Sequence, residues 1–180
     1  IPMLQYIYYT GENETILSYP PYNWRFLSKD ILPNVNTIIG GAQPSREHLR
    51  EWKAMGRKWI KAITTGGIGK SGDFEQAAYD YFSNCEGLQD PLMDGIIVDS
   101  FDDSDHPRYD AHRKVIERIY ANPQFQGKTF SPYWDLLLGP NRSLEAARVA
   151  MAGGGYVCLQ RYIYEQPTEE AARTFIKRDL

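Results

Sequence analysis

The sequence predicts an α/β protein built on a parallel sheet. Short apolar runs alternate with amphipathic stretches of helical length along the whole chain, and parallel neighbours need such a crossover between them. Hydrophobic residues make up 42% and charged residues 24% of 180 residues, an ordinary globular balance and enough chain for one core. No low-complexity tract or linker-like run divides it, so residues 1–180 read as a single domain.

Each element follows from period and punctuation. Strands are predicted over residues 4–9, 37–40, 59–64, 95–101, 129–133 and 156–164, where β-branched, aromatic and apolar residues run together between turn-forming residues. Ser45 is placed to cap a helix over about 46–55 that Gly56 ends, with His48 standing where a capping box takes Glu or Gln. Asp73 caps a second helix to Asn84. A third spans 107–120, where Ala111, Val115, Ile116 and Ile119 share one face. Ser143 begins a fourth, through Ala152, and Thr168 a fifth, to the end. Gly153 to Gly155 make a tight turn between helix and strand.

Several classes are excluded. No apolar run approaches the roughly 18 residues of a spanning helix, and the first ten residues lack a signal peptide's basic region and cleavage site, so a soluble chain outside the membrane is expected, with secretion left open. The net charge of -3 offers no general attraction to nucleic acid. Cys85 and Cys158 allow one disulfide or two free thiols. Ile1 in first place suggests a processed product or a piece of something longer.

Six strand segments fit two architectures: an open parallel α/β sheet, complete in itself, or a (β/α)-barrel of TIM type that this chain leaves incomplete, since eight units take about 250 residues. Length favours the open sheet. Polar and aromatic residues, however, gather at the C-terminal end of nearly every strand: 8–10, 40–43, 64–65, 99–103, 133–135 and 162–165. A barrel spreads its site over all strand ends, whereas an open sheet concentrates it at one switch point, so the barrel is the preferred reading.

The segment Asp94-Gly95-Ile96-Ile97-Val98-Asp99-Ser100-Phe101 sets Asp99 at the exit of an apolar strand, where a catalytic carboxylate belongs. Here the sequence resembles the TIM-barrel glycoside hydrolases, many of which carry a fourth-strand motif of DG, three further residues and Asp; Asp94 and Asp99 match that spacing, and the segment is fourth in strand order. The resemblance implies a nucleophile, general acid or cation-stabilising role for Asp99. It departs from the chitinase-like pattern, which places an acid where Phe101 stands. Glycoside hydrolysis needs a second carboxyl within about 5–10 Å. Asp135 and Glu165 are the candidates, each following aromatic residues at a strand end, although Glu165 also lies where it would favour a helix start. Tyr8, Tyr133, Trp134, Tyr162 and Tyr164 supply rings for sugar faces, and Gln43 and Arg161 supply hydrogen bonds to hydroxyls. The expected partner is a carbohydrate, either cleaved or, in a non-catalytic binding module, only held. No cofactor or metal is implied, and the oligomeric state is open.

Three rival motifs are weaker. Residues 64–71, Thr-Thr-Gly-Gly-Ile-Gly-Lys-Ser, nearly fit a phosphate-cradling P-loop of a nucleotide-binding protein, but Thr64 replaces the first Gly, residues 57–61 are basic for a core strand, and Gly72-Asp73 interrupt the helix that should begin at Lys70. The acidic run 99–106 lacks the Gly and Glu of an EF-hand loop. His48, His106 and His112 read as surface or capping residues rather than zinc ligands. Asn13 and Asn141 head glycosylation sequons that matter only in a secreted eukaryotic chain. Trp24 is either a sugar platform in the first βα loop or satellite core beneath it.

Overall fold

The computed structural model describes residues 6–9, 24–41, 45–68, 72–101, 107–134, 142–159 and 166–179. The fold is α/β, a parallel sheet of six strands: β1 (Tyr6–Tyr9), β2 (Thr37–Gly40), β3 (Lys58–Thr64), β4 (Gly95–Phe101), β5 (Thr129–Trp134) and β6 (Cys158–Leu159). Their spatial order is their chain order, and every neighbouring pair is parallel. The order never reverses, so these six strands contain no switch point of the kind that carries the ligand in a doubly wound sheet.

The helices are α1 (Trp24–Phe26), which runs on into a π turn at Leu27–Ile31 and a 3₁₀ turn at Leu32–Asn34, then α2 (Arg46–Ala54), α3 (Phe74–Ser83), α4 (Glu86–Gln89), α5 (Arg108–Ala121), α6 (Arg142–Ala152) and α7 (Glu169–Asp179). Three begin at the caps the sequence predicts. Ser45 Oγ accepts from His48 N, Asp73 Oδ1 from Glu75 N and Gln76 N, and Thr168 Oγ1 from Ala171 N, each satisfying helix amides that lack a carbonyl partner. α6 starts one residue earlier than predicted, leaving Ser143 buried inside its first turn.

Alternation along the strands sorts side chains to two faces. Ile96, Val98 and Phe130 pack with α3, α5 and α6 through Phe82, Val115, Ile116, Ile119, Ala146 and Ala150. Ile38 and Trp59 pack on the same side with Leu49 and Trp52 of α2 and with Leu27 and Leu32. The intervening residues Ile39, Ile60 and Ile97 turn the other way and form a separate buried cluster with Cys158, against which Ala62, Tyr133 and Tyr156 pack. Trp24 belongs to the helix side: it stacks on His48 at 4.2 Å, lies 6.4 Å from Trp59 and donates to Glu51, which makes it satellite core. His112 corrects the expectation of a surface histidine, because α5 buries it between Phe74, Phe82 and Tyr109.

β6 begins at Cys158, two residues after the predicted start at 156; residues 160–165 lie outside the described ones, and a local cause delays the start. Thr129 N–H donates to the Asp94 carbonyl on the β4 side, so Phe130 and Pro132 present their backbone groups to β6. Pro132 has no N–H to offer there. The Tyr120 hydroxyl takes the Phe130 N–H at 3.0 Å and reaches the carbonyl oxygens of Ala150 and Phe130, while Tyr156 N–H goes to Ser131 Oγ at 3.0 Å. Ladder bonds therefore start only at Tyr133 and Cys158. The turn before β6 needs its glycines: a Cβ on Gly153 would enter the Tyr120 ring, and one on Gly155 the Phe130 carbonyl.

Candidate functional site

The two acids of the DG…D segment serve opposite ends of β4. Asp94 precedes the strand, and its carboxylate accepts Trp59 N–H at 2.7 Å and pairs with Lys53. Its backbone joins in as well, N–H to the Trp59 carbonyl and carbonyl to Thr129 N–H and hydroxyl. One residue thereby pins β3, β4 and β5 together at their N-terminal ends. Gly95 has φ +144°, and a Cβ there would collide with the Thr129 backbone. The motif's first half is thus a strand-start staple, and five steps of about 3.3 Å along the strand separate Asp94 from Asp99.

Around the staple the chain is heavily cross-linked. Lys128 Nζ donates to the carbonyls of Asp90 and Met93, Arg46 pairs with Asp90, and Arg57 donates to the Leu32 carbonyl. Burial pushes the Lys128 ammonium below its usual range, partly offset by the nearby Asp94 and Asp90 charges. Lys61, in a strand whose basic residues looked out of place, reaches Glu86 at 3.2 Å and the Gly41 carbonyl at 2.8 Å on the helix side. Lys58 turns to the other face, where its ammonium lies 3.4 Å from the Tyr156 hydroxyl and over that ring.

Asp99 stands at the C-terminal end of β4, half-buried, in register with Thr64 of β3. By the alternation that sends Ile97 away from the helices, Asp99 falls on the same face. Beyond it the pairing with β5 breaks: Val98 opposes Pro132 and Phe101 opposes Trp134, so Asp99 and Ser100 together face the single residue Tyr133. This is a β-bulge, rare between parallel strands and frequent beside active sites. Tyr133 is half-buried and packs onto the Ile39–Ile60–Ile97–Cys158 cluster. Asp99, Thr64 and Tyr133 therefore meet on one rim. The site that the sequence predicts does not include Thr64, although its place at a strand end is visible there; its hydroxyl accepts Gly66 N–H at 3.3 Å in the following turn.

Of the other predicted residues, Tyr8 lies in β1 with Ile39 as its register partner, and Trp134 ends β5. Asp135, Glu165, Gln43, Arg161, Tyr162 and Tyr164 lie outside the described residues. So do Lys70 and Ser71 of the P-loop-like segment and residues 102–106 of the acidic run. Past Gly72, helix α3 begins only at Phe74, and the Asp73 carboxylate already occupies its first free amides, the groups that would otherwise receive a phosphate.

Among the described residues no group of three or more His, Cys, Asp or Glu is placed to hold a metal ion, and no helix is long and apolar enough to cross a membrane. Cys85 and Cys158 are both free thiols; burial pushes Cys158 up to about 11 and raises Cys85 as well, so neither is a ready thiolate. Fold and rim together define an α/β protein whose parallel sheet carries an acid and an aromatic ring at adjacent strand ends. The sequence matches no protein-family model, and comparison with curated proteins and with solved structures gives no match.

Proposed function

We propose that the C-terminal rim of the sheet is a carbohydrate site, that the chain is a glycoside hydrolase-like protein of TIM-barrel type, and that Asp99 is its leading catalytic carboxylate. The observation that carries this reading is the emergence of Asp99 at a bulge, on the face away from the helices, beside Thr64 and the Tyr133 ring. An acid beside an aromatic face suits a sugar, whose ring stacks while its hydroxyls and glycosidic oxygen meet polar groups. On this reading Asp135 or Glu165 is the second carboxyl, and Gln43, Arg161, Trp134, Tyr8, Tyr162 and Tyr164 are the sugar-binding residues.

Three features favour a barrel-like curl. Strand order is sequential, and the packed helices share one face. The opposite face buries Ile39, Ile60, Ile97 and Cys158 in one cluster. In addition Lys58 of β3 reaches over that same face to Tyr156, just ahead of β6. The nucleotide alternative loses ground to the Asp73 cap and gains nothing in return.

The test is a panel of aryl glycosides and oligosaccharides assayed with wild type and Asp99→Asn. Hydrolysis by wild type that falls at least about a hundredfold in Asp99→Asn, with ligand binding retained, is the expected result. Binding without turnover in both proteins reassigns the rim to a carbohydrate-binding module. Neither binding nor turnover on any glycan removes the carbohydrate reading.

A further inference from the structure

We infer that the extra residue at the β4 bulge is a positioning device: Ser100, by lengthening β4 against β5, sets the aim of Asp99 relative to Tyr133. This deepens the carbohydrate reading of the same rim and rests on it for its functional consequence.

β4 keeps one-to-one register with β3 from Ile60–Gly95 through Thr64–Asp99, so Asp99 is held firmly on that side. On the other side register is regular from Gly95–Thr129 to Val98–Pro132 and then shifts by one residue before Phe101–Trp134. The irregularity is confined to Asp99 and Ser100. A bulge bends its strand and increases local twist, which turns the end of β4 relative to β5. The opposing ring does not follow, because Tyr133 is packed onto the inner cluster and its strand is tied to β6 at Tyr133–Cys158 and Trp134–Leu159. Asp99 is therefore re-aimed against a fixed aromatic neighbour. Removing one residue would restore Asp99 opposite Tyr133 and leave Phe101–Trp134 paired as now, so the change is local. Ser100 acts here through its place in the backbone count, and its side-chain chemistry is immaterial.

The test compares deletion of Ser100 with Ser100→Ala, which keeps the count. Two measurements are made: the chemical shift of the Asp99 carboxyl ¹³C signal by NMR at one pH, which reports its place against the Tyr133 ring, and kcat and KM on an aryl glycoside that wild type hydrolyses. Deletion is expected to displace the Asp99 ¹³C signal from its wild-type position and to lower kcat at least about tenfold with KM within about threefold. Ser100→Ala is expected to match wild type in both. An unchanged Asp99 signal in the deletion, or an equal effect of Ser100→Ala, overturns the inference. Should wild type hydrolyse no glycoside, the carbohydrate reading fails on its own, and the NMR comparison still decides whether the bulge aims Asp99. If the deletion does not fold, insertion of Gly after Tyr133 equalises the two strands from the β5 side, and the same NMR change is required of it.

Discussion

The two ends of β4 carry the same residue type in different settings. At the N-terminal end, Asp94 is consumed by the fold: amide, ammonium and neighbouring backbone all converge on it, and Gly95 lets β5 approach closely. At the C-terminal end, Asp99 leaves a strand whose pairing has been broken beside it. Sheet stability is concentrated at one end so that the other can depart from regular geometry. A carboxylate that satisfies buried amides, as Asp94 does, has little left to offer a ligand.

Four changes probe that contrast, and a pH series extends it to the helix side. Gly95→Ala puts a Cβ into the Thr129 backbone at a φ that side chains avoid, and is expected to cost about 4 kcal/mol or more, read as loss of the cooperative urea transition. A variant as stable as wild type would show that the staple is not tight. Asp94→Ala strands the Trp59 amide and the Lys53 ammonium, with an expected loss of about 3 kcal/mol by chemical denaturation. A loss below about 1 kcal/mol would erase the difference between the two acids.

The helix-side core should respond to acid through His112, which burial, reinforced by the Arg108 charge, lowers to about 4 from an ordinary 6.5. The unfolded chain then binds the proton first, so stability is complete above pH 6.5 and falls as pH drops towards 4, by up to about 3 kcal/mol. NMR titration of the His112 ring checks this, and a midpoint near 6.5 would refute it. Tyr120→Phe removes the hydroxyl that joins β5 to α6 and should cost about 1.5 kcal/mol; an unchanged melting temperature would mean that the seam is held otherwise. Asp99→Asn should cost less stability than Asp94→Ala and, on the carbohydrate reading proposed above, lower turnover at least about a hundredfold. A large destabilisation there would move Asp99 into the structural class of Asp94.

Much of this arrangement could be read from local pattern. The bounds of β2 and β4, the caps Ser45, Asp73 and Thr168, and the glycine turn after α6 all depend on residues close in sequence. Asp99 at a strand exit was legible for the same reason. The short helix α4 was not: Cys85 at its N-cap makes no side-chain capping bond, and four residues show no period. The helical run from Trp24 to Asn34 was likewise unmarked, because a π turn breaks the 3.6-residue spacing.

Chain-local chemistry, meaning alternation, caps and turn residues, was enough to make this an α/β protein and to set an acid at the end of its fourth strand. Register, the late start of β6 and the different settings of Asp94 and Asp99 arose only on assembly. Each depends on partners 25 to 41 residues away, such as Ser131 for Tyr156, Trp59 for Asp94 and Lys53 for Asp94. Hydrogen bonds and steric approach between distant segments leave no periodic trace in a sequence, since what selects them is which surfaces the burial of apolar side chains brings together.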